Sequence, residues 1–168
     1  NCGQVIIRKE TDPDGATDQF NFAKSFPTVP TSTDTFDLAD GESQDYPGVI
    51  VGSGYTVDED LLTLPDGWEF VDVDCSDSSA DTEYTVTAEN VTFDIAAGDV
   101  LDCTYNNRQQ QGAILVTKTR KHAADGPGDH PHAGVDFTVD GVTKATDANG
   151  EACFDGLGFS EEGYTVHE

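Results

Sequence analysis

Two lysines, two glutamates and an asparagine stand where such side chains are costly. Lys9 ends a run in which Val5, Ile7 and Lys9 share one face, and Lys118 ends the matching run Ile114, Val116, Lys118. Glu59 falls on the face of Tyr55 and Val57, and Glu168 on that of Tyr164 and Val166. Asn107 closes the alternation Leu101, Cys103, Tyr105. A lone charge on an apolar face must be paired, be neutralised, or lie off the buried face after all. The chain has only five lysines, and two of them occupy this equivalent place. Turnover chemistry has no comparable signal. No Ser-His-Asp or Cys-His nucleophile arrangement and no phosphate loop stands out, so the expectation is a protein that is not an enzyme.

The elements that must position these residues read as strands. No segment sustains a helical period. Alternation of period two recurs instead, in Phe20, Phe22; Phe36, Leu38; Val71, Val73, Cys75; and Val91, Phe93, Ile95. Turn pairs such as Asp40-Gly41, Asp66-Gly67 and Gly98-Asp99 bound the runs. After the polar tract Arg108-Gln109-Gln110-Gln111 a second series follows, with Val135, Phe137, Val139, Cys153, Tyr164 and Val166. The two series align. Gly3-Gln4-Val5-Ile6-Ile7-Arg8-Lys9 matches Gly112-Ala113-Ile114-Leu115-Val116-Thr117-Lys118, and Gly54-Tyr55-Thr56-Val57-Asp58-Glu59 matches Gly163-Tyr164-Thr165-Val166-His167-Glu168. The pattern predicts an all-β chain of tandem immunoglobulin-like β-sandwiches. One spans residues 1–109. The second, over 112–168, is expected to be incomplete at its C-terminus, so that the parent chain continues or a neighbour donates a strand.

Composition sets the surroundings. At 168 residues the chain has room for one ordinary domain or two small ones. Only 36% of residues are apolar, and 17 Gly with 7 Pro favour short strands and many turns. Apolar runs such as Val49 to Val51 are too short to cross a bilayer. A start at Asn1 without a leader reads as a mature or excised segment. With 33 acidic against 8 basic residues the formal charge is -25, which repels nucleic acid and anionic membranes. That charge fits a hydrated coat, with adaptation to high salt or weak divalent-cation binding as sharper alternatives. The four cysteines, Cys2, Cys75, Cys103 and Cys153, form no C-x-x-C pair, so zinc and thioredoxin-like chemistry are disfavoured and disulfides in an extracellular chain are expected.

These features together resemble the prealbumin-like, Cna B-type (SpaA-like) domains of bacterial surface proteins and pilins. In the first series the resemblance rests on the opening strand with its lysine, Phe36-Asp37-Leu38-Ala39-Asp40-Gly41, the Tyr-x-Val-x-Glu box, Gly67-Trp68 and Cys103-Thr104-Tyr105-Asn106-Asn107. In the second it rests on Ala133-Gly134-Val135-Asp136-Phe137-Thr138-Val139, Thr146-Asp147-Ala148-Asn149-Gly150, and Asp155-Gly156-Leu157 leading into Gly163-Tyr164-Thr165-Val166. The resemblance implies prealbumin-like sandwiches and an intramolecular isopeptide bond joining Lys9 to Asn107, with Glu59 assisting. Lys118 and Glu168 are the corresponding residues of the second unit. A lysine in a dry core loses its charge and becomes nucleophilic, and a protonated Glu59 can polarise the carboxamide and relay protons as ammonia leaves. The competing reading is a Lys-Glu ion pair at the sandwich rim, with Asn107 satisfying backbone groups.

Cys75 and Cys103, on apolar strand faces, are expected to form a disulfide. Cys2, outside the first strand, and Cys153 are open: each other, partners beyond this chain, or neighbouring molecules. His122, His130 and His132 with Asp125 and Asp129 fit no standard zinc spacing. Asp12-Pro13-Asp14-Gly15 opens like a calcium loop but lacks the closing glutamate and reads as a turn. Trp68 is expected to be partly buried. No metal and no cofactor are expected beyond weak divalent-cation binding. The implied role is a structural module of an extracellular surface protein, a stalk or pilus-like filament, with homopolymers or further repeats as partners. The alternative is an adhesin-type module that recognises a host, matrix or glycan ligand through its Asp-rich loops.

Overall fold

The computed structural model describes residues 2–78, 82–121 and 128–168. It is built almost wholly of strands, and one 3-10 turn, Leu61–Thr63, is the only helical element among the described residues. The chain divides into two compact units, Asn1–Gln109 and Gln110–Glu168.

The first unit contains β1 (Cys2–Asp12), β2 (Phe20–Lys24), β3 (Thr35–Leu38), β4 (Ser43–Ile50), β5 (Gly52–Glu59), β6 (Trp68–Asp77), β7 (Tyr84–Thr87), β8 (Asn90–Ile95) and β9 (Val100–Gln109). Four strands form one sheet in the order β4-β1-β9-β6, and five form the other in the order β3-β2-β5-β8-β7. All pairings are antiparallel except β1 with β9, which run parallel, with Lys9 beside Tyr105 and Thr11 beside Asn107. The inward faces of both sheets merge into one core, which includes Val5, Ile7, Phe22, Val57, Phe93 and Leu101. Tyr105 ties the layers together. Its ring meets Phe22 edge-on at 5.1 Å, and its hydroxyl donates across the sandwich to the Val57 carbonyl at 3.0 Å.

Alternation along β6 departs from expectation. Trp68 and Val73 both face the core, at 7% and 6% exposure, although an odd number of positions separates them. A bulge between Phe70 and Asp72, opposite Asn107 and Asn106, absorbs the extra residue. Val71 is that residue. It is 45% exposed rather than inward with Val73 and Cys75. Trp68 is buried, its ring edge-on to Phe20 at 5.6 Å. Cys2 also differs from its expected place, since it is the first residue of β1 rather than outside the strand.

The second unit contains β10 (Gln111–Thr117), β11 (Thr119–Lys121), β12 (Asp129–Pro131), β13 (Asp136–Val139), β14 (Val142–Ala145), β15 (Glu151–Gly158) and β16 (Val166–His167). β10 pairs with β15, β11 with β12, and β13 lies between β14 and β16. Asp140 and Gly141, both at positive φ (48° and 74°), make the two-residue turn between β13 and β14. Phe137, Val139, Ala152 and Phe154 form a small core, with Ile114, Val116 and Tyr164 half-buried against it.

The bulge makes a specific demand on the chain. Deleting Val71 removes the extra residue, so Trp68 and Val73 stay on the inner face of a regular ladder. The deletion is therefore expected to cost less, in denaturant titrations, than the roughly 3 kcal/mol that turning Trp68 or Val73 out of the core would cost. Val71→Thr, at an exposed site, should stay within about 0.5 kcal/mol of the parent.

Candidate functional site: a buried lysine, glutamate and asparagine

Three strands bring Lys9, Asn107 and Glu59 to one place. Lys9 and Asn107 come from the neighbouring parallel strands β1 and β9, and Glu59 from the end of β5 in the opposite sheet, beside Phe22. Their exposures are 0%, 2% and 1%. Asn107 Nδ2 donates to Glu59 Oε1 at 2.7 Å, and Lys9 Nζ lies 4.0 Å from that same oxygen. The ammonium nitrogen also donates to the carbonyls of Tyr105 at 3.1 Å and Glu10 at 3.2 Å, and sits 4.4 Å from the Phe20 ring centre. Among the described residues two buried side-chain atoms have no hydrogen-bond partner, Glu59 Oε2 and Asn107 Oδ1. Each such orphan costs about 1–3 kcal/mol.

Burial disfavours both charges. It pushes Lys9 down to about 8 against the attraction of Glu59, and pushes Glu59 up against the pull of Lys9 and the Asn107 hydrogen bond. Both shifts favour moving the proton from lysine to glutamate. Such a transfer would leave a neutral amine and a carboxylic acid beside a carboxamide. Protonation of Glu59 would supply the cluster with a donor, and Asn107 Oδ1 is an acceptor without one. This set can do acid-assisted acyl transfer from amide to amine.

On the strand that carries Asn107, Cys103 forms a disulfide with Cys75, its registered neighbour on β6, at a Cα separation of 4.1 Å. Cys103 is fully buried and Cys75 half-buried. Cys2 and Cys153 are free and exposed. Cys153 lies on the outer face of β15 because Ala152 and Phe154 take the inner one.

The second unit places the same residue types differently. Lys118 Nζ meets Glu168 at 2.6 and 2.8 Å, but the side chains are 29% and 54% exposed. The run Tyr164, Val166, Glu168 is not a buried face here, since β16 pairs only with β13 and Val166 is 41% exposed. Asp12-Pro13-Asp14-Gly15 is a turn held by Asp40, whose carboxylate accepts from the Thr11 and Gly15 amides, both at 2.6 Å. His122 and Asp125 lie outside the described residues. Asp129 and His130 are exposed on β12 and His132 is half-buried beyond it. Among the described residues no three metal-ligating side chains converge.

Sequence reading missed Lys24. It is buried, donates to the Phe26 carbonyl at 2.9 Å, lies 3.4 Å from Asp34 and faces the rings of Phe26 and Tyr46 at 4.8 and 5.5 Å. Continuing the alternation of Phe20 and Phe22 by one step would have found it.

Residues 5–109 match the family model of the SpaA-type prealbumin-like fold domain. The chain belongs to this family. Among solved structures the Bacillus anthracis TIE protein covers 98% of the chain at 21% identity with a TM-score of 0.57, over 28% of its own length. A bacterial adhesin from Mobiluncus mulieris containing intramolecular disulfide, isopeptide and ester bond cross-links matches 66% of this chain and 42% of its own, at 17% identity and a TM-score of 0.47. A pilus-presented adhesin covers 64% at 16% identity and a TM-score of 0.36. The chain spans less than half the length of each. No curated protein matches it. No helix among the described residues is long and apolar enough to cross a membrane.

The lowered lysine has a consequence for stability. In an Asn107→Ala chain, where Lys9 must remain a free amine, the folded state holds its proton less tightly than the unfolded one. Stability should therefore rise as pH climbs from about 8 toward the ordinary lysine value of 10.5. Adding Lys9→Met should remove that rise, worth roughly 2–3 kcal/mol. Denaturant titrations of both chains across the window measure it.

Proposed function

We propose that this chain is a structural module of an extracellular bacterial surface protein, of the stalk or pilus-filament kind, in which an amide bond between Lys9 and Asn107 joins the first strand of the sandwich to the last. The observation that carries the reading is the buried cluster itself. An ion pair kept only for stability would be a poor use of a core position, since desolvation offsets most of its attraction. An amine, an acid and a carboxamide sharing one oxygen in a dry core have a use in chemistry.

In the reaction, neutral Lys9 Nζ attacks Asn107 Cγ while the Glu59 proton moves to Oδ1. The tetrahedral centre collapses, the Cγ–Nδ2 bond breaks, ammonia leaves with one proton relayed from Nζ through Glu59, and the Oδ1 proton returns to Glu59 as the carbonyl re-forms. One Nζ–Cγ amide forms and one ammonia is lost, with no oxidant or cofactor. The event happens once per molecule, so the protein is not a catalyst.

The bond would close a loop of nearly the whole first unit, worth about 4–5 kcal/mol by chain entropy, beside about 3–4 kcal/mol for the disulfide. It also gives tension a covalent path from β1 to β9 that bypasses the strands between. The charge of -25 suits a hydrated surface layer. We read the second unit as a further copy of the first. The register shift between Gly3 and Val5, where β1 meets β4, recurs between Gly112 and Ile114, where β10 meets β15. Phe22 and Val57 have counterparts in Phe137 and Val166.

Intact mass tests the covalent claim. The wild-type chain should weigh less than its sequence by one ammonia and, before reduction, by the two hydrogens of the disulfide. Glu59→Ala should restore the ammonia mass and lose roughly 4 kcal/mol or more of stability. A wild-type mass with no ammonia deficit would defeat the reading.

A further inference from the structure

The two units differ in what covers two corresponding strands. In the first, β1 is paired on both sides, by β4 and β9, and β5 likewise by β2 and β8. In the second, β10 is paired only by β15 and β16 only by β13, among the described residues. The open sides are those that β9 and β8 occupy in the first unit. These two strands are consecutive, so one continuous segment, residues 90–109, covers both.

Over β10 and the end of β15 lies a groove of about 300 Å³ lined by Gln111, Gly112, Ile114, Leu157, Phe159 and Tyr164. Ile114 corresponds to Val5, which in the first unit is fully buried beside Leu101 of β9. Gly112 corresponds to Gly3, against which Ile95 of β8 packs, while nothing lies within 4 Å of that place at Gly112, so the groove stands where an Ile95-type side chain would go. Backbone direction agrees. Gln4 donates its amide to Asp99 at the start of β9, and alternation sends the polar groups of Ile6 and Arg8 the same way. In β10 the same side carries the amides of Ala113, Leu115 and Thr117. Leu115 is 59% exposed and Phe159 41%.

Resting on the reading of the second unit as a copy of the first, we infer that this unit is a strand-acceptor site. Its occupant is a two-strand segment of the β8–β9 kind, with period-two apolar residues and a four-residue turn like residues 96–99. One strand adds parallel to β10, and the other adds antiparallel to β16 and fills the groove with an apolar side chain. Strand addition supplies affinity through main-chain hydrogen bonds and specificity through alternate side chains. It also removes two exposed edges. Lys118 and Glu168 would then be covered as Lys9 and Glu59 are.

A synthetic peptide of residues 90–109 carrying Cys103→Ser, added to the full chain, tests this. Saturable one-to-one binding is expected, with at least tenfold slower hydrogen exchange at Ala113, Leu115 and Thr117. Leu115→Pro removes one amide from the open edge without touching the pairing to β15, and should weaken binding at least tenfold. Should that variant fold poorly, the same peptide N-methylated on its β10-facing residues provides the second arm against the unaltered chain. Equal binding by a shuffled peptide, self-association of the chain in place of peptide binding, or no binding would each overturn the inference. Exchange in the free chain separates the two readings. If β10–β15 and β13–β16 protection is missing, the repeat itself fails. If it is present without binding, only the acceptor site fails.

Discussion

The structure turns on the removal of one lysine ammonium from water. Lys9 has no exposed surface, and its nearest carboxylate belongs to the other sheet. Such a charge is held only if the layers close tightly around it. That closure is what pushes Lys9 down and Glu59 up. The Phe20 ring, edge-on to Trp68, forms a wall of this site, and Trp68 reaches the core only because of the bulge at Val71. Fold and reactivity are thus one constraint. A looser sandwich would hydrate the lysine, and Lys118 in the second unit is already partly exposed.

Strand β9 carries both the disulfide and the asparagine of the proposed amide bond. Its Asn107 faces Lys9 and Glu59, and its Cys103 is bonded to β6. The parallel pairing of β1 and β9 brings the opening and closing strands of the unit side by side, so a bond between them spans almost all the intervening chain. Outside this dry centre the molecule carries its acidic excess on exposed positions, where water and counter-ions screen it. The cluster is closed off from water, and the exterior carries most of the chain's charge.

Much of this was legible in the residues. Alternation placed Val5, Ile7 and Lys9 on one face and Leu101, Cys103, Tyr105 and Asn107 on another, and all seven are buried. A period-two rule works wherever a strand is regular and covered on one side. It failed at Val71, because a bulge changes the count within one strand and leaves no mark that alternation can see. It failed again at Val166 and Glu168, because burial depends on a neighbouring strand rather than on the strand's own sequence. Lys24 was passed over for a different reason: its partners, the Phe26 carbonyl and the Tyr46 ring, come from the folded arrangement. The proximity of Glu59 to Asn107 also lay beyond spacing, since they belong to different sheets.

The central claim is that Lys9 and Asn107 are covalently joined, and proteolytic mapping of the reduced, fully denatured chain addresses it most directly. The account predicts one branched peptide containing both Lys9 and Asn107, fragmenting as an amide between Nζ and Cγ and absent from Glu59→Ala protein. Recovery of separate linear peptides, with Lys9 cleaved by trypsin and Asn107 carrying an intact carboxamide, would contradict it.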